Sequence, residues 1–250
     1  MSNMPEAIDR YLKKYGFKAF SPKAVLFDMD GVLYDSMPNH SIAWQKSMEK
    51  FGIKMTAHDA YATEGARGID TIRTMVRQQQ GRIISEEESQ RMYDEKSRIF
   101  HEMKEAPVMP GIKELMSQIA AQGIGIGVVT GSGQRPLINR LLKDFGNYLD
   151  VEHITTAYDV SRGKPAPDPY LSGLKKFGGL NPWEAIVVEN APLGVEAGVA
   201  ARIFTIAVNT GPLPDECLKE KGADLLFPDM QNLSDSWKSI VLQELSQRSY

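Results

Sequence analysis

The first eighteen residues are mostly polar, but Ile8, Tyr11, Leu12 and Tyr15 recur at the spacing of one face of a short amphipathic helix. Five short apolar runs follow, each ending at polar or glycine punctuation. Residues 24–27 end at Asp28, 124–129 at Thr130-Gly131, 185–188 at Glu189-Asn190, 203–208 at Asn209, and 225–227 at Pro228. The runs are rich in Val and Ile and do not alternate with polar positions, which is how parallel strands covered on both faces read. Helical periodicity occupies 111–122, 134–145, 168–177, 192–201 and 213–221, with Gly123, Gly146 and Gly178 at helix-ending positions. The alternation predicts an α/β fold with an open, doubly wound, mostly parallel sheet.

One interval breaks the rhythm. Between residues 37 and 105 no strand-like run occurs, only helical periodicity over 42–51, 70–80 and 86–103. That is too long for a single crossover, so an inserted all-helical domain is expected over 37–105. It would hang from a core domain of 23–36 and 106–250, behind a helical N-terminal extension of 1–22. Linkers are expected near 36–38 and 105–110, where Pro107 and Pro110 stiffen the return. Met48, Met55, Met75, Met92 and Met103 read as the apolar interior of the insertion.

Composition changes this picture little. Apolar residues make up 42% and charged residues 24%, near globular averages, so disordered and membrane classes are disfavoured. No run approaches the ~20 apolar residues of a transmembrane helix, and residues 1–18 lack the apolar stretch of a signal peptide. A net charge of −3 with no long basic run argues against nucleic acid as a partner. The single cysteine, Cys217, rules out an internal disulfide and fits a reducing, cytoplasmic setting. Nothing around it supplies the electropositive niche of a reactive thiol. A monomer is expected rather than an obligate oligomer.

The chemistry gathers where the strands end. Ligands of open α/β sheets bind beyond the carboxyl ends of the strands, and there the chain places Asp28, Asp30, Thr130, Glu189 and Asn190, with Lys164 in a nearby loop. Such a cluster is costly if buried and uncompensated, whereas a cation and a phosphate satisfy it. Asp28 suits a nucleophile that attacks phosphorus, and Asp30 a general acid/base for the leaving group and for water. Thr130, Gly131 and Ser132 suit contacts to phosphoryl oxygens, with Lys164 adding positive charge. Mg²⁺ held by oxygen ligands would bridge nucleophile and phosphoryl group.

Together these residues closely resemble the haloacid dehalogenase superfamily. Asp28-Met29-Asp30-Gly31-Val32 matches its first motif, Thr130-Gly131 its second, Lys164-Pro165 its third, and Glu189-Asn190 after Ile186-Val187-Val188 its fourth. The resemblance implies a Rossmann-like core whose helical cap fills the gap between the first two motifs. It also implies Mg²⁺-dependent phosphoryl transfer through an aspartyl phosphate, with Asp28, Asp30, Glu189 and Asn190 as the metal's ligands. Asp30 favours phosphoryl transfer over dehalogenation, because halide departs without a proton. Asp35-Ser36, His40, Pro110-Gly111 and Lys164-Pro165-Ala166-Pro167-Asp168 are similar to the β-phosphoglucomutase-like subgroup. His40 reads as a hinge or packing residue.

Two departures bear on substrate. Where the subgroup's mutase has Lys-Gly-x-x-Arg to grip a distal phosphate, this chain has Glu64-Gly65-Ala66-Arg67-Gly68. Arg67, one place early, is the candidate replacement cation, and Lys96 is a second, lying either in the cleft or on a charged surface. Asn190 stands where the family usually has Asp. Glu64 with Glu189-Asn190-Ala191-Pro192-Leu193-Gly194 is similar to a bacterial subgroup member that is an inorganic pyrophosphatase. The resemblance therefore implies pyrophosphate as substrate, with a β-phosphoglucomutase or a broad sugar-phosphate phosphatase as the alternative. Glu64 either reaches the metal from the cap or caps a turn.

Overall fold

The structure is a computed structural model that describes residues 4–133 and 135–237. Its sheet comprises β1 (Ala24–Phe27), β2 (Gly125–Val129), β3 (Ile154–Thr155), β4 (Ala185–Glu189), β5 (Phe204–Val208) and β6 (Leu225–Phe227). All neighbours are parallel in the order β3-β2-β1-β4-β5-β6, which confirms the doubly wound α/β expectation. In the register, Phe27 lies beside Val128 on one side and Val188 on the other. The next residues, Asp28, Val129-Thr130 and Glu189, therefore emerge side by side at the carboxyl edge. Only β3 has no counterpart in the sequence reading, since two residues carry no periodicity.

The helices are α1 (Met4–Tyr15), α2 (Met37–Lys50), α3 (Ala57–Ala62), α4 (Gly68–Gln80), α5 (Glu86–His101), α6 (Ile112–Ala121), α7 (Arg135–Phe145), α8 (Asp168–Lys176), α9 (Pro192–Ala200) and α10 (Asp215–Lys219). Residues 230–237 are also helical. The expected start of α7 at Gln134 falls outside the described residues. Gly123 and Gly178 adopt the left-handed φ of helix-ending glycines. α2 starts five residues earlier than the periodicity indicated, because Pro38 fits a first helical turn, where its missing N–H costs nothing. α3 is too short to show a period. Its mark is the Thr56–Asp59 capping box, in which side chain and backbone satisfy each other reciprocally.

Helices α2 to α5 form the insertion, with no strand among the described residues from 37 to 101. They bury their own cluster of Trp44, Met48, Ile53, Met55, Ile72, Met75, Val76 and Met92, separate from the main core. Four of the five methionines expected inside are there; Met103 lies outside that cluster. α1 docks on the core rather than standing free. Tyr11 is fully buried, donates to the Arg202 carbonyl at 2.8 Å, and packs edge-on against Phe204.

Beside that helix, Asp224 accepts from the Thr205 N–H at 2.8 Å. Burial pushes its carboxyl up to about 6, against the Thr205 hydrogen bond and the Lys14 and Arg10 charges. The folded state therefore binds a proton that the unfolded chain releases between about pH 4 and 6, so this group makes stability fall as pH rises through that window. Asp224→Asn is expected to remove that slope and to stabilise the protein at pH 7 by on the order of 1–2 kcal/mol. Chemical denaturation of both proteins at pH 4.5 and 7 checks this. An unchanged slope would show that Asp224 is not the group responsible.

Candidate active site

The sheet edge turns four loops onto one point. Asp28 leaves β1 with its N–H on the Val188 carbonyl at 3.0 Å, and Thr130 leaves β2 with its N–H on the Thr155 carbonyl at 2.9 Å. Lys164 arrives from the loop before α8, through a cis bond to Pro165. Its ammonium donates to Asp28 Oδ1, to Glu189 Oε1 at 2.6 Å and to the Val129 carbonyl at 3.1 Å. All three of its hydrogens thus have acceptors, and the two carboxylates hold its pKa above the ordinary lysine value despite burial. Burial raises the Asp28 carboxyl well above its usual range, Lys164 pulls it back, and Glu189 and Asp30 push it up again. One ammonium does not balance the carboxylates gathered here.

Glu189 is fully enclosed. Oε1 accepts from Lys164 and from the Tyr170 hydroxyl at 2.8 Å, and Oε2 accepts from the N–H groups of Asn190 and Ala191 at 3.0 and 3.2 Å. A Cβ on Gly194 would fall 1.8 Å from that carboxylate, so α9 can approach it only with glycine at this position. Glu189 is thus a buried anchor for Lys164, with both oxygens already engaged by protein donors. The sequence places it among the metal's ligands; here its four bonds all go to protein donors. Tyr170, absent from the sequence reading, supplies the hydroxyl that completes the arrangement; its position two residues after Asp168 on a helix gave no chemical signal.

Asp30 points toward the hinge. Its Oδ1 accepts from Ser36 Oγ at 2.6 Å and from His40 Nε2 at 3.0 Å. Lys96 Nζ lies 2.6 Å from His40 Nδ1. An ammonium can only donate, so Nδ1 accepts and the ring proton sits on Nε2, directed at Asp30. Burial opposes ionisation of Asp30, but His40 and Ser36 prevail and hold its carboxyl down at about 2. Lys96 is buried among Trp44, Tyr93 and Phe100, and burial lowers its ammonium to about 8. Of the two sequence readings of Lys96, the cleft is right. His40 does more than pack: it joins the cap lysine to Asp30.

The cap segment after α3 closes the cleft. Glu64 is buried, and its Oε1 accepts from Asn190 Nδ2 at 2.9 Å, so it faces the crevice and not solvent. Burial raises its carboxyl well above the usual value; the Asn190 bond lowers it and the neighbouring Asp28, Glu189 and Asp30 charges raise it further. Gly31, at φ +78°, lets the chain pass beneath this pair, since a Cβ there would lie 2.0 Å from Asn190 Nδ2. Thr130 Oγ1 accepts from the Ser132 N–H at 3.0 Å, and Gly131 and Ser132 line the cleft. Arg67 does not line it. Its guanidinium is bound to Asp70 at 2.8 Å and, across the gap to the core, to the Ser161 carbonyl at 2.9 Å, away from the cleft in which the sequence placed it on substrate.

Asn190 Oδ1 is buried and has no hydrogen-bond partner. A buried carbonyl oxygen without a donor, beside an excess of carboxylates, fits an oxygen-seeking cation. Mg²⁺ is a cation of that kind, usually taking one or two protein carboxylates and filling its shell with water and phosphate oxygens.

The fold and this arrangement define the haloacid dehalogenase-like hydrolases, whose family pattern matches residues 25–208. The chain belongs to that family. Hexitol phosphatase A of Escherichia coli is 32% identical over 212 residues, covering 85% of this chain and 93% of its own. Beta-phosphoglucomutase of Bacillus subtilis is 25% identical over 239 residues, 89% of this chain and 98% of its own. A solved structure from Bacteroides vulgatus, provisionally assigned as a beta-phosphoglucomutase, is 47% identical with a TM-score of 0.91, covering 95% of this chain and 96% of its own.

Proposed function

We propose that the protein is a Mg²⁺-dependent phosphohydrolase acting on inorganic pyrophosphate. The observation that carries this reading is the Glu64–Asn190 contact at 2.9 Å. It brings a carboxylate from the cap onto the core, where a mutase handling a sugar bisphosphate needs a cation for the distal phosphate. Glu64, Gly65 and Ala66 of the cap line the same cleft as Asp28, Asp30, Gly131 and Ser132 of the core, a setting in which a small anion can be held through a cation with no sugar contacts.

In this mechanism Asp28 attacks one phosphorus of pyrophosphate, forming an O–P bond while the bridging P–O bond breaks. Asp30 gives its proton to the departing phosphate. It then takes a proton from the water that attacks the aspartyl phosphate, releasing the second phosphate and restoring Asp28. Ser36 and His40 hold Asp30 ionised in the resting site, so the anionic substrate must first raise its proton affinity. Thr130, Gly131 and Ser132 orient phosphoryl oxygens, and Lys164 offsets charge on Asp28. Asp28 and Asn190 Oδ1, with Glu64 from the cap, are the side-chain groups that would hold Mg²⁺. Bound there, the cation would neutralise phosphate charge and polarise the phosphorus.

The test is a steady-state comparison of pyrophosphate with hexose 1- and 6-phosphates in Mg²⁺ and in EDTA. Pyrophosphate is expected to show a kcat/KM at least roughly tenfold above any sugar phosphate, a discrimination of about 1.4 kcal/mol, and EDTA to remove activity. A higher kcat/KM for sugar phosphates would overturn the substrate assignment. Lys96 in the cleft favours the second reading, a sugar-phosphate mutase. Conversion of β-glucose 1-phosphate to an isomer, without net phosphate release, would establish it.

A further inference from the structure

One cap segment, residues 61–67, makes contacts on four separate core loops. Tyr61 covers Gly211, where a Cβ would meet the ring at 3.1 Å. Glu64 bonds Asn190. The Gly65 carbonyl lies over Gly131, 3.1 Å from where its Cβ would be. Arg67 crosses to the loop carrying Lys164, with Nη1 on the Ser161 carbonyl at 2.9 Å and its stem pressed on Gly163, where a Cβ would lie 2.5 Å from Arg67 Cγ. The first three contacts line or border the reaction site. The fourth lies outside it.

We propose that Arg67 is a positioning residue: a latch that sets how much of the time the cap is closed, and with it the selection for small substrates. The guanidinium suits the task. Asp70, three residues on in α4, holds Nε at 2.8 Å and Nη2 at 3.3 Å and leaves Nη1 aimed across the gap. Three of its donors are thereby fixed in one plane, a geometry that lysine's single ammonium does not reproduce. The acceptor is a backbone carbonyl three residues before Lys164, so latching also steadies the loop that delivers Lys164 to Asp28. With the latch fastened Glu64, Gly65 and Ala66 stay over the cleft; with it released, the cap opens and larger phosphate esters gain entry. The latch needs only the family's phosphoryl-transfer activity, while its effect on selectivity rests on the pyrophosphate reading.

A distance measurement tests closure apart from substrate identity. The chain has one cysteine, Cys217 on the core, and Glu87→Cys adds an exposed site on the cap. Spin labels on this pair report cap position without any turnover. The wild-type latch is expected to give one short, narrow distance, and Arg67→Ala a broadened distribution with a longer component. Asp70→Asn is expected to shift it in the same direction, and Arg67→Lys to fall between.

A bond from a charged group that is partly exposed corresponds to roughly fivefold to tenfold in the closed population. KM for the preferred substrate should therefore rise by that factor while kcat changes less than about twofold, because saturating substrate restores closure. Discrimination against hexose phosphates should narrow in parallel. Unchanged distances in Arg67→Ala would overturn the latch. So would a kcat collapse that Arg67→Lys restores at unchanged distances, since that marks a direct phosphate ligand. Altered distances with sugar phosphates preferred in the wild type would retain the latch and remove only the pyrophosphate assignment.

Discussion

Asp28→Asn is expected to lower turnover by roughly four orders of magnitude or more while leaving the protein folded and able to bind phosphate. The amide occupies nearly the same volume but cannot attack phosphorus to give a stable acyl phosphate. Folding should survive for an electrostatic reason. Asp28 is one of several carboxylates sharing a buried site, and burial already disfavours its charge. Removing that charge relieves repulsion with Glu189 and Asp30, while Lys164 keeps its contacts to Glu189 and the Val129 carbonyl. The variant should therefore unfold at a temperature equal to or above that of the wild type. It should also fail to form the covalent-like beryllium fluoride adduct. Turnover within tenfold of wild type would remove Asp28 as the nucleophile and the aspartyl-phosphate mechanism with it.

The sheet was legible because burial on both faces leaves unbroken apolar runs, and each run is interrupted where the chain reaches the reaction site. Asp28, Thr130 and Glu189 could be placed beside each other from those endings alone, since parallel strands in register bring equivalent ends together. Lys164 was legible as a nearby positive charge, and its match to the family's third motif strengthened that, but nothing in Gly163-Lys164-Pro165 announces that its ammonium reaches Asp28 from 136 residues away. The roles of the residues that orient others were not legible, even where Ser36 and His40 stood out by resemblance. Tyr170 and Ser36 look like ordinary hydroxyl positions, and His40 becomes meaningful only when Lys96, from a helix 56 residues later, fixes its tautomer. Arg67 misled for a related reason. Sequence spacing locates a side chain on a segment, but which way it leaves the backbone depends on Asp70 and on a core loop nearly a hundred residues away. Glu64 was the converse case: either a turn cap or a cleft residue by sequence, it is decided by an amide across the domain gap.

Lys164→Ala should cost both activity and stability, and the two losses should differ in their dependence on pH. The ammonium lies between two buried carboxylates, so its removal leaves Asp28 and Glu189 facing each other with no cation. Breaking a buried pair in this way typically costs about 3–5 kcal/mol. For a chain of this size that lowers the unfolding temperature by on the order of 10 °C. In the wild type, Lys164 has a folded pKa above its unfolded value, so its contribution is fully present below the unfolded lysine value, about 10.4, and is lost only above it. Stability that this residue supplies is therefore flat across neutral pH. In the variant Asp28 takes over. Burial already raises its folded pKa above the unfolded one, and without Lys164 to pull it back the folded state retains a proton that the unfolded chain releases, so stability falls as pH rises from about 4 upward. Thermal unfolding at pH 5 and pH 8 should accordingly show a small deficit at the lower pH and a large one at the higher. Added Mg²⁺ should recover part of the deficit at pH 8, since a divalent cation replaces some of the missing charge, whereas the loss of turnover, roughly a hundredfold or more, should persist. A deficit equal at both pH values would mean that Lys164 acts by packing and not as the counter-charge of Asp28 and Glu189.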